Sequence, residues 1–191
     1  MKRNLTGVLL IGLIMGACNH TPKEGTYHLR GVVTNEKLEG RTIYLRDAIE
    51  GAVRYDSAKV SEGRFVFSGK VNVPLVRELF IQETDSDRFP VTLPVVLEPG
   101  EINTKIGDIV LVEGTGLNEE MMQALMAFDR FKERDFTGKE INEIKEAFAR
   151  FVLEQIVKHA GSPVGNYLYE AYQNKLNEKQ QAEARKTLGI G

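Results

Sequence analysis

Cysteine is nearly missing from this sequence, and that scarcity narrows the chemistry first. Cys18 is the only cysteine in 191 residues. A single thiol forms no internal disulfide, no Cys-x-x-Cys redox pair and no cysteine zinc site. Histidine is almost as scarce. His20, His28 and His159 are the three, and no two stand at the i, i+4 or short-loop spacing of metal ligands. Tryptophan is absent. No apolar run approaches the roughly 20 residues a spanning helix needs. Neither charge sign dominates: 25 Lys and Arg face 27 Asp and Glu. That balance lacks the clustered basic surface a nucleic-acid partner calls for. Catalytic signatures are missing too: no Gly-x-Ser-x-Gly elbow, no full dinucleotide fingerprint and no phosphate-loop Lys-Ser/Thr.

What is present begins at the N-terminus. Lys2 and Arg3 precede an apolar run from Gly7 to Ala17, the layout of a secretory signal. Met15-Gly16-Ala17-Cys18 resembles a bacterial lipobox, with Met15 where Leu is more usual. The expectation is a signal peptide over 1–17 and acylation of Cys18, which becomes the first residue of the mature chain. Each buried CH₂ contributes about 0.8 kcal/mol, so several acyl chains hold a soluble domain firmly on a membrane. Lipidation of Cys18 also leaves no free thiol for catalysis. Without Lys2 and Arg3, 23 basic residues face 27 acidic ones. Asn19 is not the Asp associated with inner-membrane retention, so the expected place is the cell envelope, at the outer membrane facing the periplasm. Residues 18–26, with Pro22 and Gly25, read as a polar tether.

From Tyr27 the hydrophobic period is two. Tyr27 and Leu29 share a face, followed by strand patterns over 41–46, 57–60, 64–68, 75–82, 91–97, 101–105 and 109–112. Phe65 and Phe67 point together toward the core. The Ser61-Glu62-Gly63 turn between two short runs predicts a hairpin. Pro94 makes its strand bulged or an edge strand. Near Gly116 the period becomes helical. Leu117, Met121, Leu125 and Phe128 form one stripe, with Asn118 as the expected cap. Ile141, Ile144, Phe148, Phe151, Val152 and Ile156 form a second, stopped by Gly161. Ser162-Pro163 reads as the start of a third helix and Asn177 as the cap of a fourth. The fold class expected is α+β and β-rich: an antiparallel β-sandwich over 27–115, then a helical region over 116–191.

The residues that carry chemistry elsewhere have plainer roles here. Glu83, Asp85 and Asp87 alternate in a loop, but the sixth position of a calcium loop would be Arg88 or Pro90 rather than Gly, so a solvated loop is expected. Asp56-Ser57 offers an acid beside a hydroxyl without an evident base. Gly114-x-Gly116 ends a strand and admits a helix. Phe128, Phe131, Phe148 and Phe151 are at helical spacing and read as core. Tyr167, Tyr169 and Tyr172 cannot all face one way, so one or two of them are expected to reach solvent, where tyrosine suits sugars or protein partners.

Tyr27-x-Leu29-x-Gly31, Tyr44-Leu45, Asp56-Ser57-Ala58-x-Val60, Gly63-x-Phe65-x-Phe67-x-Gly69, Pro74, Leu97-Glu98-Pro99-Gly100 and Gly114-Thr115-x-x-Asn118 together resemble an N-terminal domain of unknown function. That domain is common in lipoproteins of Bacteroidetes-type bacteria. There it usually precedes a helical linker, which Pro163-Val164-Gly165 resembles, and a thioredoxin-like domain of the TlpA or ResA type. The resemblance spans roughly Tyr27 to Asn118. It implies an extracytoplasmic β-rich accessory domain with no catalytic residue to transfer, and no Cys-x-x-Cys is present to carry redox chemistry. The first expectation is a non-catalytic envelope lipoprotein that binds a partner, such as a separate thioredoxin-like protein, without a cofactor or metal. The second is an envelope hydrolase acting on glycans or peptides with carboxylates such as Asp56 and Glu98, which would have to lie about 5–10 Å apart. The third is a structural remnant of a thioredoxin-like lipoprotein.

Overall fold

The computed structural model describes residues 25–49, 53–84 and 90–191. Cys18, His20, Asp85 and Asp87, the signal segment and nearly all of the tether lie outside the described residues. The described chain is mixed α+β with a C-terminal helical region. Its strands are β1 (Thr26–Val33), β2 (Thr42–Arg46), β3 (Arg54–Lys59), β4 (Arg64–Lys70), β5 (Leu75–Ile81), β6 (Val91–Leu97), β7 (Gly100–Ile106) and β8 (Leu111–Glu113). Its helices are α1 (Gly116–Lys132), α2 (Ile141–Lys158), α3 (Pro163–Tyr172) and α4 (Glu178–Leu188).

The strands form two four-stranded sheets. The first has the order β4-β1-β7-β8 and the second β3-β2-β5-β6. Period-2 alternation turns one face of each strand inward. Leu29, Phe65, Phe67, Ile102 and Val112 from the first sheet share one apolar core with Ile43, Leu45, Leu79, Ile81 and Leu93 from the second. Gly31 has no side chain because the ring of Phe65 occupies the space a Cβ would need.

Two expectations about pairing are overturned. The first sheet is not purely antiparallel: β1 runs parallel to β7, in register from Tyr27↔Gly100 to Val33↔Ile106. The predicted hairpin is also not one. β3 pairs with β2, while β4 pairs with β1 in the other sheet. The turn closes as a hairpin turn does, with Ser61 and Arg64 exchanging backbone hydrogen bonds of 2.9 and 3.0 Å. The strands then part, and β4 crosses over to the first sheet, where Phe65 and Phe67 are buried in the shared core. Pro94 stands as expected in an edge strand, β6, where its missing N–H breaks no central ladder.

The helices pack on the outer face of the second sheet. Val96 of β6 is part of their core, with Val76 of β5 against it. Centroid distances of 4.6 Å for Phe128–Tyr172, 4.7 Å for Phe131–Phe151 and 5.0 Å for Phe128–Phe151 mark an aromatic cluster, so the expected core role of these phenylalanines is met. The α2 stripe starts later than its sequence pattern, since Ile141 is exposed. Asn177 caps α4, accepting a hydrogen bond from the Gln180 N–H at 2.9 Å. Asn118 does not cap α1. Thr115 holds the N-cap position and Asn118 lies inside the first turn, fully buried.

Candidate functional site

Buried Asn118 serves the sheet. Its Oδ1 accepts from the Val96 N–H at 2.9 Å, and its Nδ2 donates to the Val96 carbonyl at 2.8 Å. One amide thus supplies the donor and acceptor that a further strand would have offered to edge strand β6, and it fixes α1 against the sheet. Glu98 is used at the same junction. Its Oε1 accepts from the Leu117 N–H at 2.8 Å, placing a carboxylate at the positive end of α1.

That use bears on the carboxylate pair considered for hydrolysis. Asp56 lies on β3 and Glu98 just beyond β6, at opposite edges of one four-stranded sheet. Three strand spacings of about 4.8 Å separate those edges, so the pair stands about 14 Å apart or more. Asp56 is exposed and its Oδ1 accepts from the neighbouring Ser57 N–H at 2.7 Å. The structure therefore does not bring these two carboxylates together.

The other residues singled out from sequence are also dispersed. His28 lies on the outer side of β1, in register with Ser68 and Glu101. Glu83 accepts from the Asn35 side chain at 3.1 Å and pairs with Lys37 at 3.6 Å. Gly114 has φ +100°, and a Cβ there would crowd the Glu101 carbonyl, which explains the glycine without a phosphate. Of the three tyrosines none is exposed: Tyr169 is buried, while Tyr167 and Tyr172 are half-buried. Against expectation, no tyrosine on α3 stands fully in solvent: Tyr172 stacks on Phe128 and Tyr167 is half-buried against the sheet, lining the cleft beside it. Among the described residues no group of three His, Cys, Asp or Glu is placed to hold a metal ion.

One polar cluster has the residue types of a catalytic triad. His159 Nδ1 is 2.8 Å from Glu120 Oε1, and Ser162 Oγ donates to the same oxygen at 2.8 Å. The carboxylate accepts only, so Nδ1 carries the proton. The wiring is wrong for nucleophile activation, which needs the hydroxyl on the imidazole. Here both partners converge on the carboxylate, and His159 Nε2 is buried without a hydrogen-bond partner. Ser162 also donates to the His159 carbonyl at 3.1 Å. A Cβ on Gly165 would strike that carbonyl. The cluster ties α1, the end of α2 and the start of α3 at one vertex.

Among the described residues, the other half of the second sheet's outer face, toward β2 and β3, is left uncovered by the helices. Arg46 is held there by Glu78, with Nη2 2.6 Å and Nε 2.7 Å from Oε2, and its guanidinium lies 3.7 Å above the Phe80 ring. Arg54 lies 4.1 Å above the Tyr44 ring. Arg41 Nε donates to the Gln82 carbonyl at 3.0 Å. A depression of about 400 Å³ is lined by Gly40, Arg41, Thr42, Tyr44, Arg54 and Gln82. Stacking on Tyr44 leaves the edge N–H groups of Arg54 for a carboxylate or phosphate, with little rotamer freedom left to lose, whereas those of Arg46 are taken up by Glu78. A second cleft, of about 620 Å³, lies where this sheet meets α3 and includes Tyr55, Arg77, Tyr167 and Glu170. Burial pushes the Tyr167 phenol well above its ordinary value, with smaller contributions from Tyr172 and Glu78. Sequence reasoning did not find the arginine pairs. Tyr44 and Arg46 alternate onto one face, but their stacking partners come from neighbouring strands.

Residues 27–121 match the family model described as a domain of unknown function (DUF4369). The matched span runs from β1 into the first turns of α1, taking in both sheets and Asn118. No curated protein and no solved structure matches the chain. Among the described residues no helix is long and apolar enough to cross a membrane.

Proposed function

We propose that this chain is a non-catalytic cell-envelope lipoprotein that acts as an accessory binding module. The observation that carries the reading is the open β2–β3 face, where Arg54 and Arg46 are stacked on Tyr44 and Phe80 while the helices cover the rest of the sheet. That face suits an acidic surface of a partner protein. The two sheets, which share one core, are read as a face-to-face sandwich. Residues 1–17 are read as a signal peptide and Cys18 as its acylated anchor, at the outer membrane facing the periplasm. The resemblance to domains that precede thioredoxin-like modules in Bacteroidetes-type lipoproteins supports a separate thioredoxin-like protein as the partner. No cofactor or metal enters the reading.

The test is crosslinking in intact cells with the acylated chain as bait, followed by mass spectrometry. The expected result is specific capture of one envelope protein that is lost in Arg54→Glu and Tyr44→Ala, both of which leave the core intact. Capture of nothing specific at good bait abundance, or capture unchanged by both substitutions, overturns the assignment of this face.

A further inference from the structure

The end of the β region from which the chain departs toward Cys18 exposes several large apolar side chains. Thr26 at the start of β1 is in register with Lys70 at the end of β4, and the Val71 N–H donates to the Gly25 carbonyl at 2.8 Å. The Val71–Pro74 turn crosses from the first sheet to the second at this end. The Arg46↔Arg54 pairing places the β2–β3 connection there as well. Around this exit Val73 is 72% exposed, Tyr55 51%, Val53 48% and Ile49 43%.

We propose that this end rests on the lipid surface that holds the anchor, with Val73, Val53, Ile49 and Tyr55 entering its headgroup layer. The inference rests on the acylation of Cys18 read above. Six residues, 19–24, lie between acylated Cys18 and the described chain. The seven Cα-to-Cα steps from residue 18 to residue 25 span at most about 24 Å. The tether thus holds this end within reach of the surface at all times. The side chains present suit the boundary. Valine and isoleucine enter the apolar edge. Tyr55 keeps its hydroxyl at the wet level, and the Arg77 guanidinium, 4.0 Å above the Tyr55 ring, faces headgroup phosphates. The contact fixes how the body stands on the membrane.

The absence of native tryptophan makes a direct test available. Val73→Trp is compared with Ile109→Trp, whose position is 63% exposed in the turn before β8 at the opposite end. Each full-length variant is processed in cells and its N-terminal mass is measured. It is then reconstituted in phosphatidylethanolamine–phosphatidylglycerol vesicles with brominated acyl chains. The expected result is a blue shift and loss of most emission for Val73→Trp, with Ile109→Trp unshifted and unquenched. An acylated Val73→Trp protein that is as bright and red as Ile109→Trp overturns the contact alone and leaves the lipoprotein reading standing. A blue shift without bromine quenching places Val73 against a second copy of the chain and overturns the lipid contact. A mature N-terminus without acyl mass overturns the anchor and, with it, this inference.

Discussion

The two cores of this protein are built differently, and the difference lies in their polar content. The core between the sheets is aliphatic, with Phe65 and Phe67 in edge-on contact at 5.9 Å and Thr104 the buried polar side chain among its strands. The core under the helices is aromatic, and the buried polar side chains Asn118, Gln155 and His159 all belong to its helices. Alternating strands give each sheet a uniform apolar face, and two such faces need no polar instruction to meet. Helices laid on the outside of a sheet have no ladder to align them. Here directional hydrogen bonds set their position: Asn118 on the edge of β6, and Glu120 with His159 and Ser162 at the helix vertex.

The widest gap between the two cores is expected from Phe128→Ala. Removing a buried aromatic from the centre of the cluster costs about 4 kcal/mol. The loss should appear in hydrogen exchange as weakened protection of α1, α2 and α3, with β1, β2 and β7 still protected. A uniform loss over both layers would show one cooperative unit and erase the distinction. Asn118→Leu sharpens it at the junction. It strands the N–H and the carbonyl of Val96, at about 1–3 kcal/mol for each group left unpaired, so about 3 kcal/mol is expected in urea unfolding. Asn118→Asp keeps the acceptor for the N–H but sets a buried carboxylate oxygen against the Val96 carbonyl, so it should lose more. Equal losses for the two would mean that packing, not the amide pairing, sets the junction.

The smallest effect is expected in alkali. Tyr167, half-buried on α3, has its phenol pKa raised above 10.0, first by burial. A raised folded pKa means that the native state holds its proton longer than the unfolded chain does. The stabilisation is therefore complete below the ordinary value near 10 and falls as pH climbs past it toward the folded value. Burial also raises the phenols of Tyr27 and Tyr172, so tyrosinate absorbance should show a late-titrating set whose last member is absent in Tyr167→Phe, and the variant should lose less stability between neutral and alkaline pH. A Tyr167→Phe protein with the same alkaline profile would remove Tyr167 from the account.

Much of the fold is legible in the sequence. The alternation of Tyr27 with Leu29 and of Phe65 with Phe67 reports burial correctly, as do the stripes through Met121, Phe128, Phe151 and Ile156. The start of α3 at Pro163 and the cap at Asn177 are readable from residue type alone. The candidate site was far less legible. Asn118 reads as a cap because asparagine favours caps, and nothing local reveals that its partner is a backbone 22 residues away. Tyr44 and Arg54 give no sign in sequence that β2 and β3 will align them.

Most elements and the side of each that turns inward are local matters, because they depend on the periods of strand and helix, which are properties of neighbouring residues. Only the tertiary structure decided that β3 and β4 part into different sheets, that β1 lies parallel to β7, and that Glu98 meets the start of α1 instead of Asp56. These follow from register between segments far apart in the chain. There, burial of both sheet faces and satisfaction of the exposed edge at Val96 outweigh what any single turn or residue type prefers.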